Sequence, residues 1–342
     1  MKYMRKGLFF ICFFWFCTVQ AQSFKTDLDV LIGRYEKSGG FNGIILIARN
    51  PEQLEAYTYG YRNPRTKAEK ITLTDPFDLA SLSKQFAGLA ISQLILAGKI
   101  GAEDPIGPYF PELKPALQKV TVRQLANHTN GIHDYYALVR DPGTLTKELA
   151  FQLLTVLDTT VFPPGTRWGY SNSGYLLLSI LVERLSGMSY EDYCRQHIFN
   201  PLGMREIVYA PAGGKGLPGF NAKGEPQISN TFNCGASGLF ASGNDLIAYY
   251  QNISRQYLQW KAAFELPLKY ADNSKSPGWQ YAFGWYFTSD ETGTFRAHSG
   301  QLPGASTYIR WYETGEFICV LSNKNDAFLK EFRDEVAGLL FK

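Results

Sequence analysis

Strand-like segments stand at both ends of this chain and helix-like segments fill its middle. That distribution limits the fold more than any other feature. Near the start, Phe41 to Ala48 is a mostly apolar run, and after Pro51 an alternating stretch runs from Leu54 to Tyr61, which together read as a β-hairpin or two adjacent strands. Near the end, Tyr281 to Thr288, Gly293 to Ala297, Ser306 to Tyr312 and Glu316 to Ser322 read as consecutive strands, with Glu313-Thr314-Gly315 as a tight turn. Between them apolar residues recur at three and four, as in Phe86, Leu89, Ala90 and Leu94. That spacing predicts helices over Leu82 to Leu96, Val120 to Asn127, Lys147 to Leu157, Asn172 to Leu185, Tyr190 to His197 and Asn244 to Arg255. Residues 24–37 and Leu329 to Leu340 read as terminal helices, and 211–235, rich in Gly, Pro and Asn, as an extended loop. The simplest packing joins the two ends into one antiparallel sheet flanked by helices, with the middle as a mainly helical lobe: an α+β fold.

The first residues are set apart by composition. Lys2, Arg5 and Lys6 precede an unbroken apolar run from Leu8 to Cys17, and Val19-Gln20-Ala21 offers the small side chains a signal peptidase reads. The run is too short to cross a hydrocarbon core of roughly 30 Å comfortably and suits a cleavable secretion signal. The reading is therefore a signal peptide over 1–21 and a single catalytic domain over 22–342. Its sheet lobe spans about 22–75 and 280–342, and its helical lobe about 76–279. Removing the leader takes three basic and no acidic side chains from a chain of formal charge +3, leaving a charge near zero. No long basic patch remains to grip a phosphate backbone, so nucleic acid is not expected as a partner. No membrane anchor is expected after cleavage. Cys194, Cys234 and Cys319 are odd in number and widely spaced, and read as buried structural cysteines.

Three short stretches carry candidate chemistry. In Phe77-Asp78-Leu79-Ala80-Ser81-Leu82-Ser83-Lys84, Ser81 and Lys84 stand three apart at the opening of a helix and so share a face. A serine hydroxyl needs a partner to take its proton, and a lysine serves once its pKa is lowered by burial or by a neighbouring positive group. The bland alternative is a helix-capping serine beside a solvated lysine. In the loop Pro163 to Gly174, Tyr170 can relay a proton and Asn172 can hold a substrate amide, while Ser171 or Asn172 can equally cap the next helix. In His298-Ser299-Gly300, beside a strand, the glycine permits close backbone approach and the imidazole can steer or donate.

Together these stretches resemble the active-site motifs of the serine β-lactamase and penicillin-binding superfamily. The branch is that of class C β-lactamases, D-Ala-D-Ala carboxypeptidases, D-amino-acid amidases and β-lactamase-like esterases. The resemblance runs from about residue 27 to 340. It takes in Leu125 to Ile132, Pro201-Leu202-Gly203-Met204, Cys234 to Ser242 with Asp245-Leu246, and Phe283-Gly284-Trp285. It implies a β-lactamase/transpeptidase-like fold. Ser81 would form the acyl-enzyme, Lys84 would take its proton, and Tyr170 would relay protons to the leaving group and to the deacylating water. Asn172 would hold the acyl-side amide, and His298, with Ser299 and Gly300, would fill the third motif. The backbone N–H groups of Ser81 and Gln301 would form the oxyanion hole. Asn130 stands where the pattern has serine, and Ala297 where a glycine is common; both bear on specificity more than on proton transfer.

No cofactor or metal is implied. The four histidines His128, His133, His197 and His298 form no H-E-x-x-H, no C-x-x-C pair exists, and His128 and His133 read as loop or packing residues. The absence of G-x-S-x-G removes an α/β-hydrolase. The expected substrate is a small ester or amide, or a D-amino-acid peptide. The alternatives are a D-Ala-D-Ala carboxypeptidase or D-aminopeptidase, and a slowly acylating penicillin-binding sensor. A β-lactam is the weaker reading, because His298 replaces a permanently charged lysine. Arg296, on the same strand face, is expected to restore some positive potential beside His298.

Overall fold

The structure, a computed structural model, describes residues 24–35, 40–211, 215–229, 232–255, 257–272, 278–325 and 329–341. The expected signal peptide lies outside the described residues. The chain falls into two compact units, one of residues 1–41 with 326–342 and one of residues 42–325. In the smaller unit, the helix over residues 24–34 and the helix Leu329–Leu340 are tied by side chains. Arg34 and the Tyr35 hydroxyl both reach the Glu335 carboxylate, and the Phe332 ring stacks on Phe41 at 5.0 Å.

In the larger unit the described residues form one seven-stranded antiparallel sheet. Its strands are β1 (Gly43–Asn50), β2 (Gln53–Tyr59), β3 (Gln280–Ala282), β4 (Trp285–Asp290), β5 (Gly293–Leu302), β6 (Ala305–Tyr312) and β7 (Phe317–Ser322). Their spatial order is β2-β1-β7-β6-β5-β4-β3. The first strand pairs with the last, Ile45 opposite Val320, so the two ends of the chain close one sheet. Every residue of β6 and β7 is buried; β7 accordingly reads as a near-continuous apolar run, whereas β6 buries Ser306, Thr307 and Arg310 among its apolar residues. The helix Gly243–Arg255 packs on this sheet through Tyr250, whose ring stacks on Phe317 at 4.6 Å. Its start is fixed by a reciprocal cap: Ser242 Oγ accepts from the Asp245 N–H, and the Asp245 carboxylate accepts from the Ser242 N–H.

Four local outcomes differ from the sequence reading. The segment expected as one strand from Tyr281 is a hairpin, β3 and β4, turned at Phe283 and Gly284, whose φ angles are 51° and 89°. A Cβ on Gly284 would sit 2.6 Å from the Lys84 carbonyl oxygen, and one on Gly88 would sit 1.9 Å from the Phe283 carbonyl oxygen. The turn and the helix Lys84–Leu96 therefore meet backbone to backbone. Strand β5 runs on through the third motif to Leu302 instead of stopping at Ala297. A further helix, Tyr257–Tyr270, passes through Pro267, the residue that hides it in the sequence. Two small three-stranded sheets also appear, one of them pairing Phe77–Asp78 with Leu239–Ala241 just ahead of Ser81.

The helix Lys84–Leu96 has no exposed face over its first nine residues, Lys84 to Ser92. A helix covered on all sides is a central core element, and it carries Lys84 inside with it. Cys194, Cys234 and Cys319 are buried and unpaired.

Candidate active site

Ser81 does not open an α-helix. It lies in a 3₁₀ turn, Ala80–Ser83, wedged between the strand Phe77–Asp78 and the helix Lys84–Leu96. The turn is sharp because Ala80 adopts a left-handed φ of 49°, a conformation unfavourable for a residue with a Cβ. Three contacts hold it: Asp78 Oδ1 accepts from the Ala80 N–H at 2.8 Å, Ser83 Oγ donates to the Ala80 carbonyl at 2.7 Å, and the Leu79 N–H donates to the Leu239 carbonyl at 2.9 Å. Such over-determined strain is found where a nucleophile must be presented clear of its own backbone.

Three groups then converge. Lys84 Nζ lies 3.1 Å from Ser81 Oγ, 2.9 Å from Asn172 Oδ1 and 2.8 Å from the Ala236 carbonyl oxygen. The Tyr170 hydroxyl donates to Ser81 Oγ at 2.8 Å. The lysine is fully buried, which removes the solvated-lysine alternative, and burial pulls its pKa down to about 7 against the opposing pull of Cys234 and Asp134. Two of its partners, the amide oxygen and the carbonyl, can only accept. A neutral amine therefore spends both N–H bonds on them and turns its lone pair to Ser81. Tyr170 moves the other way: desolvation of its hydroxyl raises the phenol well above its usual value, so it is a donor and not a base at neutral pH.

Asn172 opens the helix Asn172–Ser186, but the cap is Ser171, whose Oγ accepts from the Gly174 N–H at 3.1 Å. The Asn172 backbone N–H and side-chain Nδ2 both donate to Asp134 Oδ2, at 2.7 and 3.0 Å. Asp134 thus fixes which end of the amide faces Lys84.

Gly300 brings β5 against the turn that carries Ser81. A Cβ there would stand 2.2 Å from the Leu79 carbonyl oxygen and 3.0 Å from Ala80 Cβ, and Thr307 Oγ1 donates to the same Leu79 carbonyl at 2.9 Å. Pairing of β5 with β4 stops at Ala297, so His298 to Leu302 keep one strand edge unpaired among the described residues. Gln301 sits on that free stretch, its side chain donating to Asn325 Oδ1 at 2.9 Å.

His298 departs from its expected use. Its Nδ1 lies 2.7 Å from the Ser299 carbonyl, which can only accept, so Nδ1 carries the proton and Nε2 accepts from the Tyr281 hydroxyl at 3.0 Å. Both nitrogens are spent inside the protein and the residue is only 2 % exposed, so it has no hydrogen bond left to steer a ligand. Burial, helped by the charge of Lys84, lowers its pKa to about 3. Arg296 does not restore positive potential, since its guanidinium donates to the Phe264 carbonyl and pairs with Glu265 at 3.1 Å.

The sequence reading does not name Asp134, and it takes His128 only as a loop or packing residue. Fully buried and at φ 59°, His128 grips three consecutive residues. Its carbonyl accepts from the Gly169 N–H at 2.8 Å, its ring lies 4.3 Å from that of Tyr170, and its Nδ1 accepts from the Ser171 N–H at 3.1 Å. It belongs to the Leu125 to Ile132 stretch, and Asp134 follows two residues later, so that stretch was the available signal. Asn130 is buried and structural, its Oδ1 accepting from the Ile132 N–H at 2.8 Å. Among the described residues, no group of three or more His, Cys, Asp or Glu side chains is placed to hold a metal ion.

An α+β unit with an S-x-x-K serine, its lysine and a tyrosine hydroxyl around one oxygen has the design of the serine β-lactamase and penicillin-binding superfamily, whose members are serine-hydrolase-type enzymes. The chain belongs to the family described as Beta-lactamase, whose model matches residues 28–340. Penicillin-binding protein 4* of Bacillus subtilis is 28% identical over 89% of this chain and 73% of its own length. A D-aminopeptidase of Brucella canis is 28% identical over 85% of this chain and 58% of its own length. Among solved structures, a penicillin-binding protein from Bacillus halodurans superposes with a TM-score of 0.78 at 21% identity, covering 91% of this chain and 98% of that one, a likeness of fold.

Proposed function

We propose that the protein is an exported serine hydrolase that cleaves ester or amide bonds of small or peptide substrates through an acyl-enzyme on Ser81. The observation that carries this reading is the pair of bonds to Ser81 Oγ, from a lysine amine that is half neutral near pH 7 and from a phenol that stays protonated. Ser81 Oγ attacks the carbonyl carbon while its proton passes to the Lys84 lone pair. As the C–O or C–N bond breaks, Tyr170 gives its proton to the departing atom and is reprotonated from Lys84. Water then attacks the acyl carbon, its proton passing by way of the Tyr170 hydroxyl to the neutral Lys84 amine, and Lys84 returns that proton to Ser81 Oγ as the acyl–oxygen bond breaks. The backbone N–H groups of Ser81 and Gln301 serve as the oxyanion hole, brought near each other by the close approach at Gly300. Each such donor contributes about 2.7–4 kcal/mol to the transition state. Asn172, oriented by Asp134, holds Lys84 and presents its remaining amide hydrogen to the acyl side.

Export rests on the basic start, apolar run and small residues of 1–21, with a mature chain beginning at Gln22. A D-amino-acid peptide is the second substrate reading, supported by the D-aminopeptidase relatives. A substrate with a free carboxylate, D-Ala-D-Ala or a β-lactam, is disfavoured because His298 is neutral and Arg296 is paired. The test is a panel of short-chain p-nitrophenyl esters, D-amino-acid amides, D-Ala-D-Ala peptides and a chromogenic cephalosporin, run on wild type and Ser81→Ala. Sustained Ser81-dependent turnover of esters or amides supports the reading. Efficient cephalosporin turnover exceeding every ester contradicts the substrate assignment, and a single burst without turnover favours a sensor.

A further inference from the structure

A chain of aromatic rings runs from Tyr170, whose hydroxyl meets Ser81, to His298. Trp168, two residues before Tyr170 on the same loop, has its ring 6.2 Å from the Tyr170 ring. Trp279 meets Trp168 edge-on at 4.9 Å, and Tyr286 meets Trp279 edge-on at 5.2 Å. Tyr286 in turn lies 5.4 Å from the His298 imidazole. Edge-to-face contacts of this kind fix each ring in place. Trp168, Trp279 and Tyr286 nonetheless remain half-buried, each keeping part of its surface open, whereas Tyr281 and His298 behind them are buried.

The position of these rings gives them a side of the reaction. The Tyr170 hydroxyl is 2.8 Å from Ser81 Oγ and, on the reading above, protonates the departing group. Rings that continue from Tyr170 towards β5 therefore flank the departing part of the substrate and not the acyl part that stays on Ser81. Their ring faces are apolar, and none of the three carries a positive charge. The imidazole at their far end has no free donor, and the guanidinium of Arg296 is turned to Glu265.

We infer that Trp168, Trp279 and Tyr286 form a subsite for the leaving group and select an uncharged aromatic or bulky apolar leaving group over a carboxylate-bearing one. This rests on the Ser81 acyl-enzyme reading. Rigid aromatic surface binds such groups at little conformational cost, and desolvating a carboxylate against it without a cation is unfavourable.

The probes are two butyrate esters that share an acyl group, one of phenol and one of 3-hydroxybenzoic acid, each rate divided by its rate with hydroxide. Wild type is expected to favour the phenyl ester by tenfold or more in kcat/KM. Trp168→Leu and Trp279→Leu should each reduce that preference at least threefold. Trp279→Leu should also leave the breakdown rate of the butyryl-enzyme unchanged, because the leaving group has by then departed and the Trp279 ring packs on Trp168 and Tyr286 and not on the proton relay of Tyr170. A wild-type preference near one overturns the subsite without any variant being needed. A preference untouched in both variants, or in Trp279→Leu a changed butyryl-enzyme breakdown rate with no change in preference, also overturns it. Ser81→Ala separates the two claims: turnover surviving in it sinks the acyl-enzyme reading, whereas turnover lost in it with no aromatic preference in wild type sinks the subsite alone.

Discussion

Lys84 Nζ lies 2.9 Å from Asn172 Oδ1, and that bond constrains what the amine can offer Ser81. With the Ala236 carbonyl as a second obligate acceptor, the neutral amine has one free direction, its lone pair, and Ser81 Oγ is its third neighbour at 3.1 Å. The same amine when protonated donates in all three directions and cannot take the serine proton.

The pH dependence follows from that. Burial lowers Lys84 to about 7, so the competent neutral form is present above that pH and is lost below it, tenfold per unit. Single-turnover acylation should rise through pH 7 and level off. Tyr170→Phe should keep this limb while lowering the rate by about 10²–10⁴, the usual worth of a positioned proton donor. A limb that vanishes with the phenol would transfer the base role to Tyr170.

Asp134 acts through Lys84 and Asn172. Its carboxylate charge raises the lysine's pKa, and its Oδ2 holds the Asn172 amide in register. Asp134→Asn removes the charge, so the acylation limb should move to lower pH, while the plateau rate falls about tenfold as the amide loses its anchor. A pH profile decides this, because a purely structural role would lower the plateau and leave the limb in place.

His128 holds the loop that carries Tyr170 through contacts to residues 169, 170 and 171. If its effect on catalysis runs through the phenol, His128→Asn and Tyr170→Phe should be strongly non-additive, the double variant acylating within about threefold of the slower single one. Full additivity would make His128 an independent contributor.

His298 should be silent in the pH range of assay. Its lowered pKa, about 3, keeps the imidazole neutral from pH 8.5 to 5.5. The ratio of kcat/KM for carboxylate-bearing and neutral substrates should therefore stay level across that range. A tenfold gain for the carboxylate-bearing substrate at the acid end would restore the charged-imidazole role expected from sequence.

The short-range part of this site was legible in sequence because its logic is local. Ser81 and Lys84 sit one turn apart, and Tyr170 and Asn172 share a loop before a strongly patterned helix. Apolar runs likewise marked β1 and β7. What stayed hidden depends on contacts between distant segments. His128 and Asp134 matter through residues 169–172, and the exclusion of His298 from ligand chemistry depends on Tyr281, 17 residues away, as well as on its neighbour's carbonyl. The turn at Phe283 was masked because a non-glycine residue takes a left-handed φ there inside an aromatic run that reads as one strand. Strand β5 was cut short because Ser299 and Gly300 look like a loop, although the glycine serves close approach to Leu79.

The most direct measurement is the pH profile of Ser81 labelling by a fluorophosphonate, followed by intact mass and peptide mapping on wild type and Ser81→Ala. One adduct per chain on Ser81, formed at a rate that climbs through pH 7, with none in Ser81→Ala, is the expected result. Adduct formation that persists in Ser81→Ala, or a Ser81 labelling rate flat from pH 5 to 9, would contradict the assignment of Ser81 as nucleophile and Lys84 as its base.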